Sequence, residues 1–308
     1  ERVASDIRPL AAQMMAQGVK VGQITQMITL LNDQIVGRLL DLACVESPEV
    51  TGIDFTWIAF GSQGRQEQNL NTDQDNGILF VPREGETAAG IRQRLLPFAD
   101  RINRALDAIG FTLCPAEIMA RNPECCLSAD EWRTRFTRWI DGGTPEHLLN
   151  ASIFFDFRAI WGNETPVRAL RDWLMETAPR NTRFQRQMAQ NALRNAPPLG
   201  GIFREFRLSG SGEQAQTIDL KINGVAIFID AARIWSLAHG VPAVATVDRL
   251  EAVAARGAIS AGDLAAWVDA YDYIRMLRMR VNQEQAAAGR PLSNRVDPDR
   301  LNDLDRRI

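Results

Sequence analysis

The chain is poor in histidine and cysteine. Two histidines, His147 and His239, and four cysteines, Cys44, Cys114, Cys125 and Cys126, are all it has in 308 residues. The cysteine spacing fits neither a disulfide framework nor a zinc-ligand pattern, and two imidazoles supply a mixed thiol–imidazole metal cluster poorly. Neither histidine has a visible partner for nucleophilic catalysis, and both read as helix-end or surface residues. The cysteines read as reduced and structural, which points to a cytoplasmic protein. Cys125-Cys126 as a vicinal redox pair is the weaker reading. Long hydrophobic runs are missing too: nothing approaches the ~18 apolar residues that span a bilayer, and no signal peptide is visible, so no membrane insertion is expected. A strong charge of one sign is absent as well. A net charge of -3 gives bulk electrostatics no hold on a nucleic acid, although a local basic pocket can still bind a nucleotide. The first residue is Glu1 rather than methionine, and the expectation is a piece of a longer protein.

What is present is ordinary globular composition, 45% hydrophobic and 24% charged, in a length that holds one large domain or two modest ones. Residues 5–44 carry an apolar stripe at three- and four-residue spacing (Ile24, Met27, Ile28, Leu31, Ile35, Leu39, Leu42), which predicts helix, with Gly18 and Gly22 as candidate breaks. Residues 55–60 and 78–81 are compact apolar runs with aromatic and β-branched content, which predict two buried strands. Residues 91–109 predict an amphipathic helix stopped by Gly110, residues 111–119 a third strand with Pro115 implying an edge or bulge, and residues 130–140 another helix. Residues 151–160 suit a strand or a buried helix equally. Beyond Thr165 the pattern is helical, with loops at 197–201 and 209–212 and three helices over 225–285, broken near Gly240 and Gly257. Trp132, Trp139, Trp161 and Trp235 read as core. The layout is a small α+β unit between helical segments: an N-terminal segment over 1–50, the α+β unit over 51–164 and a helical C-terminal domain over 165–308.

The informative stretch is Gly61-Ser62-Gln63-Gly64-Arg65-Gln66-Glu67 followed by Thr72-Asp73-Gln74-Asp75-Asn76. Residues two apart on an extended chain share a side, so Asp73 and Asp75 project together as the second strand begins. Two adjacent carboxylates repel, and burying both as anions is costly; a hard divalent cation such as magnesium relieves that cost. A Gly-Ser turn between a strand and a helix offers backbone N–H groups and a hydroxyl to phosphate. Arg65 is either a fork for phosphate oxygens or a salt-bridge partner of Glu67. Asn76 is either a turn cap or a nucleotide contact, and Lys221 and Arg158 are either phosphate ligands or solvated charges. An isolated Asp-x-Asp is a weak signal; its setting between two apolar strands, behind a Gly-Ser turn, makes a metal–triphosphate site the reading of choice.

On these residues the stretch GSQGRQEQNLNTDQDNGILF resembles the nucleotidyltransferase superfamily, marked by a Gly-Ser or Gly-Gly turn and a later Asp-x-Asp pair. More narrowly it is similar to the nucleotidyltransferase family often fused to CBS and cyclic-nucleotide-binding domains, a relative of the protein-PII uridylyltransferase and the glutamine synthetase adenylyltransferase. The likeness extends to Leu31-Asn32-Asp33, to Cys114, Met119 and Asn122-Pro123, to Phe154-Phe155-Asp156-Phe157-Arg158, and to Asp219-Leu220-Lys221 before Gly224. It implies a polymerase-β-like fold with a small mixed sheet and helices on one face, an N-terminal helix and a C-terminal helical bundle beside it, and regulatory domains upstream. It implies Gly61 and Ser62 on the triphosphate of an NTP, Asp73 and Asp75 on two magnesium ions, and transfer of a nucleoside monophosphate, uridylyl or adenylyl, to a hydroxyl of a regulatory protein in a signalling role. Enzymes of this kind use a third carboxylate at the attacking hydroxyl. Glu117, on the candidate third strand, and Asp156, in the family-like motif, are the two candidates; if neither serves, a non-catalytic nucleotide-binding sensor is the alternative.

Overall fold

Strand β1, Asp54–Ala59, is buried along all but its first residue, and its side chains alternate between two cores. Phe55 and Trp57 face one with Ile78, Phe80 and Phe98, while Ile58 and the following Phe60 face the other with Leu79, Trp132 and Phe136. Period-two alternation with apolar residues on both sides is what a strand covered on both faces requires. The computed structural model describes residues 2–70, 73–195, 199–200, 205–206 and 217–301. Its main sheet has the order β3-β2-β1-β4. Strand β2, Asn76–Val81, runs antiparallel to β1 with Phe55 opposite Phe80. Strand β4, Arg158–Gly162, runs antiparallel on the other side of β1. Strand β3, Cys126–Ser128, runs parallel to β2 with Leu79 opposite Leu127. The sheet is therefore mixed, as expected.

Helices cover both faces rather than the one that the resemblance implies. On the first face lie α2, Val21–Val45, and α4, Ala88–Ala108, through Val36, Leu40, Leu95 and Phe98. On the second lie α5, Ala129–Gly142, α6, Pro145–Phe154, α7, Glu164–Thr177, and α8, Thr182–Ala192. The Trp132 indole N–H donates to the Ile78 carbonyl at 3.0 Å, so α5 is pinned to β2 by a hydrogen bond as well as by apolar burial. Ahead of α2, the helix α1, Arg2–Ala16, ends where Gly18 takes a φ of +75°; Gly22 lies inside α2.

Two further expectations need correction or division. Residues 111–119 form no strand. Pro115 has no N–H to give a ladder, Glu117 takes a φ of +55°, and the segment's carbonyls serve side by side as loop acceptors, Thr112 for the Gln74 N–H and Ile118 for the Asn76 N–H. The third strand is β3, after this loop. The ambiguous stretch 151–160 is both things at once: α6 ends at Phe154 and β4 starts at Arg158.

Beyond α8, the short strands β5, Leu199–Gly200, and β6, Glu205–Phe206, pair with each other, and β7, Ile218–Asp219, pairs with β8, Arg295–Val296. The expected loop at 209–212 and most of that at 197–201 lie outside the described residues, as does Thr72. A π-helical turn, Lys221–Val225, leads into α9, Ala226–His239; α10, Thr246–Ala254, and α11, Ala261–Ala287, follow, with the expected breaks at Gly240 and Gly257. These helices close back onto the N-terminal half: Asn69 Nδ2 donates to Asn282 Oδ1 at 3.1 Å, and Arg275 donates to Thr25 Oγ1. No helix among the described residues is long and apolar enough to cross a membrane.

Candidate nucleotide site

After β1 the chain turns at Gly61, which takes a φ of +54°, into the single helical turn α3, Gly61–Gly64. Neither glycine has room for a side chain. A Cβ on Gly61 would stand 3.0 Å from Asp75 Oδ2, and one on Gly64 would stand 2.0 Å from the Asp156 carbonyl oxygen. The turn is thus pressed against the entry to β2, where the Phe60 N–H donates to the Asp75 carbonyl at 2.9 Å. This close approach sets the Asp75 carboxylate directly over the Gly-Ser turn. Burial raises the Asp75 pKa; a hydrogen bond from Cys114 and the charge of Lys221 oppose the rise, and Asp73 adds to it.

Ser62, Asp73 and Asp75 line a cavity of about 450 Å³, a size that suits a small-molecule ligand. Lys221, Arg275 and Arg278, from the C-terminal half, line the same cavity. Lys221 opens the π turn, and the Asp219 carboxylate holds that turn by accepting from the N–H groups of Lys221 at 2.8 Å and Ile222 at 3.0 Å; π turns recur at functional sites. Arg278 donates twice to Asn294 Oδ1, at 3.1 and 2.8 Å. Burial pushes its pKa down to about 10, and no salt bridge is formed by it among the described residues. A cavity that gathers two carboxylates with Lys221 and Arg278, neither in a salt bridge among the described residues, is suited to a metal-bound polyphosphate. Leu149, Ile153, Val225 and Ile229 supply an apolar lip.

Arg65 is the salt-bridge partner of Glu67 that the sequence offered as one reading, and it stands at the cavity edge. It lines the cavity, while its Nε donates to Glu67 Oε2 at 2.9 Å and its Nη1 to Asp156 Oδ2 at 2.7 Å. Asp156 also receives Arg233 Nε at 3.0 Å and Nη2 at 2.6 Å, and Arg249 Nη1 lies 2.7 Å from its Oδ1. Burial alone would raise the Asp156 pKa, but Arg233, Arg249 and Arg65 outweigh it and hold the carboxyl well below the usual carboxylate range. Glu67 is likewise lowered against the effect of its burial, by Arg65, Arg275 and the Thr246 backbone.

The other residues singled out in the sequence are not brought to the cavity. Asp156 is fully closed off within its arginines and pairs with none of the expected Arg158. Arg158 instead reaches Asp33 Oδ2 at 2.7 Å and the Gln63 carbonyl at 3.1 Å, beneath the turn. Asn76 is buried, accepting from Asn103 Nδ2 at 3.0 Å and the Ala120 N–H at 2.9 Å, so it anchors the start of β2. Glu117, expected on a strand, is half-exposed in the loop and pairs with Arg121 at 2.7 Å. Both histidines lie on helix turns outside the cavity. None of the four cysteines forms a disulfide, and burial pushes Cys125 and Cys126 up to about 12, which makes them inert thiols. Reading the sequence missed Arg233, Arg249, Thr246, Tyr271, Arg275 and Arg278. The one available signal was the Arg275/Arg278 spacing, which sets two cations on one helix face.

A strand, a glycine turn set against Asp75, and a cavity that adds Asp73 and basic side chains are the setting in which the family likeness is found. Residues 5–146 match the family described as "Putative nucleotidyltransferase DUF294", and residues 182–308 match its companion "Putative nucleotidyltransferase substrate binding domain". Between them the two matches span most of the chain, and the chain belongs to this family. No curated protein matches it.

Proposed function

We propose that the chain is a magnesium-dependent enzyme that moves a nucleoside monophosphate from an NTP to an acceptor hydroxyl, releasing pyrophosphate, and that the acceptor is a regulatory protein. The observation that carries this is one cavity lined by Asp73 and Asp75 together with Lys221 and Arg278. Among the described residues no three His, Cys, Asp or Glu side chains gather to hold a metal. Two carboxylates with the rest of the shell left to phosphate oxygens and water is a donor set that suits magnesium. Asp73 and Asp75 would hold it, and bound there it neutralises charge on the reacting phosphate. Ser62 and the amides of its turn take phosphate oxygens, Lys221 and Arg278 take the outer phosphates, and the apolar lip excludes water from the base side.

Of the other cavity carboxylates, Glu67 is spent on Arg65, Thr246 and Tyr271. Asp230 is bonded through Oδ1 to Arg233 at 2.6 Å, and it is the group we assign to take the acceptor proton. The position of Glu117 and Asp156 away from the cavity favours the alternative, a nucleotide sensor without turnover. A cytoplasmic location goes with either reading.

Calorimetric titration of each of the four NTPs with magnesium, on wild type and on Asp73→Asn/Asp75→Asn, tests the site. Micromolar binding of one NTP, lost in the double variant, is expected. Pyrophosphate release with candidate acceptors then separates enzyme from sensor. No binding of any NTP would overturn the assignment.

A further inference from the structure

Helix α10 begins without a cap of its own. Its N-cap, Ala245, has no side chain able to accept a hydrogen bond, although a helix leaves its first amides unpaired. The cap comes instead from Glu67, which lies between the Gly-Ser turn and the carboxylate pair. Glu67 Oε1 accepts from the Thr246 N–H at 2.6 Å, and Oε2 accepts from Thr246 Oγ1 at 3.1 Å and from the Tyr271 hydroxyl at 2.9 Å. A carboxylate at a helix N-terminus is favoured by the helix dipole as well as by these bonds.

Glu67 has a second duty, since Oε2 also takes Arg65 Nε at 2.9 Å. The other carboxylate aiming Arg65 is Asp156, itself gripped by Arg233 of α9 and Arg249 of α10. Both groups that fix Arg65, a cavity-lining cation three residues past Ser62, are therefore shared with the C-terminal half. None of α10 lines the cavity. A ligand that engages Arg65 must nonetheless be felt at α10, because the buried acceptors serve both, and coupling of this kind runs equally in each direction.

We infer that Thr246, acting through Glu67, is a positioning residue that sets Arg65 for the nucleotide, so that the C-terminal half governs the affinity of a site whose Asp73/Asp75 pair it does not supply. The inference rests on the reading of the cavity as a nucleotide site. A static staple between two halves would stabilise the protein without touching nucleotide affinity, and that difference is measurable.

The test is Thr246→Val, which keeps the shape of the side chain and the backbone N–H but removes one donor to a buried carboxylate. Titration with the magnesium NTP that wild type binds should give an affinity about tenfold weaker. In an Arg65→Met background the same change should add nothing, because the effect passes through Arg65. Arg65→Met leaves two buried carboxylates short of a partner and can fail to fold, so a second measurement uses wild type alone. Hydrogen exchange at the first turn of α10 should slow when magnesium NTP is added, though the ligand does not touch that helix. Wild-type binding with unchanged affinity in Thr246→Val, or an α10 indifferent to the nucleotide, overturns the inference and leaves the nucleotide site standing. Absence of wild-type binding removes the nucleotide site and the inference together.

Discussion

Arg249 Nη1 lies 2.7 Å from Asp156 Oδ1, and the two side chains are 1% and 0% exposed. Arg65 and Arg233 meet the same carboxylate, so three guanidinium groups drawn from both halves of the chain converge on one buried negative charge. Such a cluster is weak evidence of net stabilisation, yet removal of Asp156 strips buried Arg249 of its carboxylate partner and leaves Arg65 and Arg233 with one each, Glu67 and Asp230. Asp156→Ala should lower the unfolding free energy by about 3–5 kcal/mol. Urea unfolding checks it, and a loss below about 1 kcal/mol would mean that water enters and relaxes the cluster.

The pH dependence follows from the same network. Asp156 and Glu67 are both held below their ordinary carboxylate range, so the unfolded chain binds protons that the folded chain refuses. Their contribution is complete above the unfolded carboxylate values near ~4 and is lost as the pH falls from there toward the folded values. Tm should hold from neutrality to about pH 5 and then fall steeply. In Glu67→Gln the acid limb should be shallower. A wild-type Tm that stays level to pH 3 would contradict this account.

The two central strands of the main sheet could be read in the sequence because they obey local rules: Phe55, Trp57 and Ile58, like Ile78, Leu79 and Phe80, are apolar runs that end at turn residues. The Gly-Ser turn and the Asp73/Asp75 pair were legible for the same reason, since a spacing of two is itself the geometry. What decides the rest is long-range. Asp156 sits among phenylalanines and looks functional, but its partner Arg233 lies 77 residues further on. Arginine on a helix reads as a solvated face, so nothing marked Arg233 and Arg249 as buried. The false third strand failed on backbone conformation: an apolar run does not announce that Glu117 takes a positive φ.

Gly61→Ala separates function from stability. The turn tolerates a side chain poorly because φ is +54° and the new Cβ would stand 3.0 Å from Asp75 Oδ2. The conformational cost is about 1 kcal/mol, whereas the displaced carboxylate should cost tenfold or more in affinity for magnesium NTP. Calorimetry beside thermal melting reads both. An unchanged affinity would mean that the position of Asp75 over the turn does not matter for binding.

Asp230→Asn should leave NTP affinity within about twofold of wild type and lower kcat at least ~100-fold, the usual scale for loss of a general base. Arg233 Nη1 can still donate to the amide oxygen that replaces Oδ1, so its contacts with Asp156 at 3.0 and 2.6 Å should persist. Equal losses in affinity and rate would recast Asp230 as a ligand contact.

Asp75→Asn should raise the Tm of the ligand-free protein. Burial lifts the Asp75 pKa, so the folded state holds this proton more tightly than the unfolded state does. Between the ordinary carboxylate value and the raised one, stability therefore increases as the pH falls, the reverse of Glu67 and Asp156. Above the raised value the charged carboxylate is a standing penalty, which a neutral isostere removes. Magnesium with the NTP relieves that penalty in wild type, so adding both should raise the wild-type Tm and leave the Asp75→Asn value unmoved. Sites built for a cation are expected to carry this cost in its absence. If Asp75→Asn instead melts several degrees below wild type, the carboxylate serves the fold, and Asp73 and Asp75 lose their assignment to the metal.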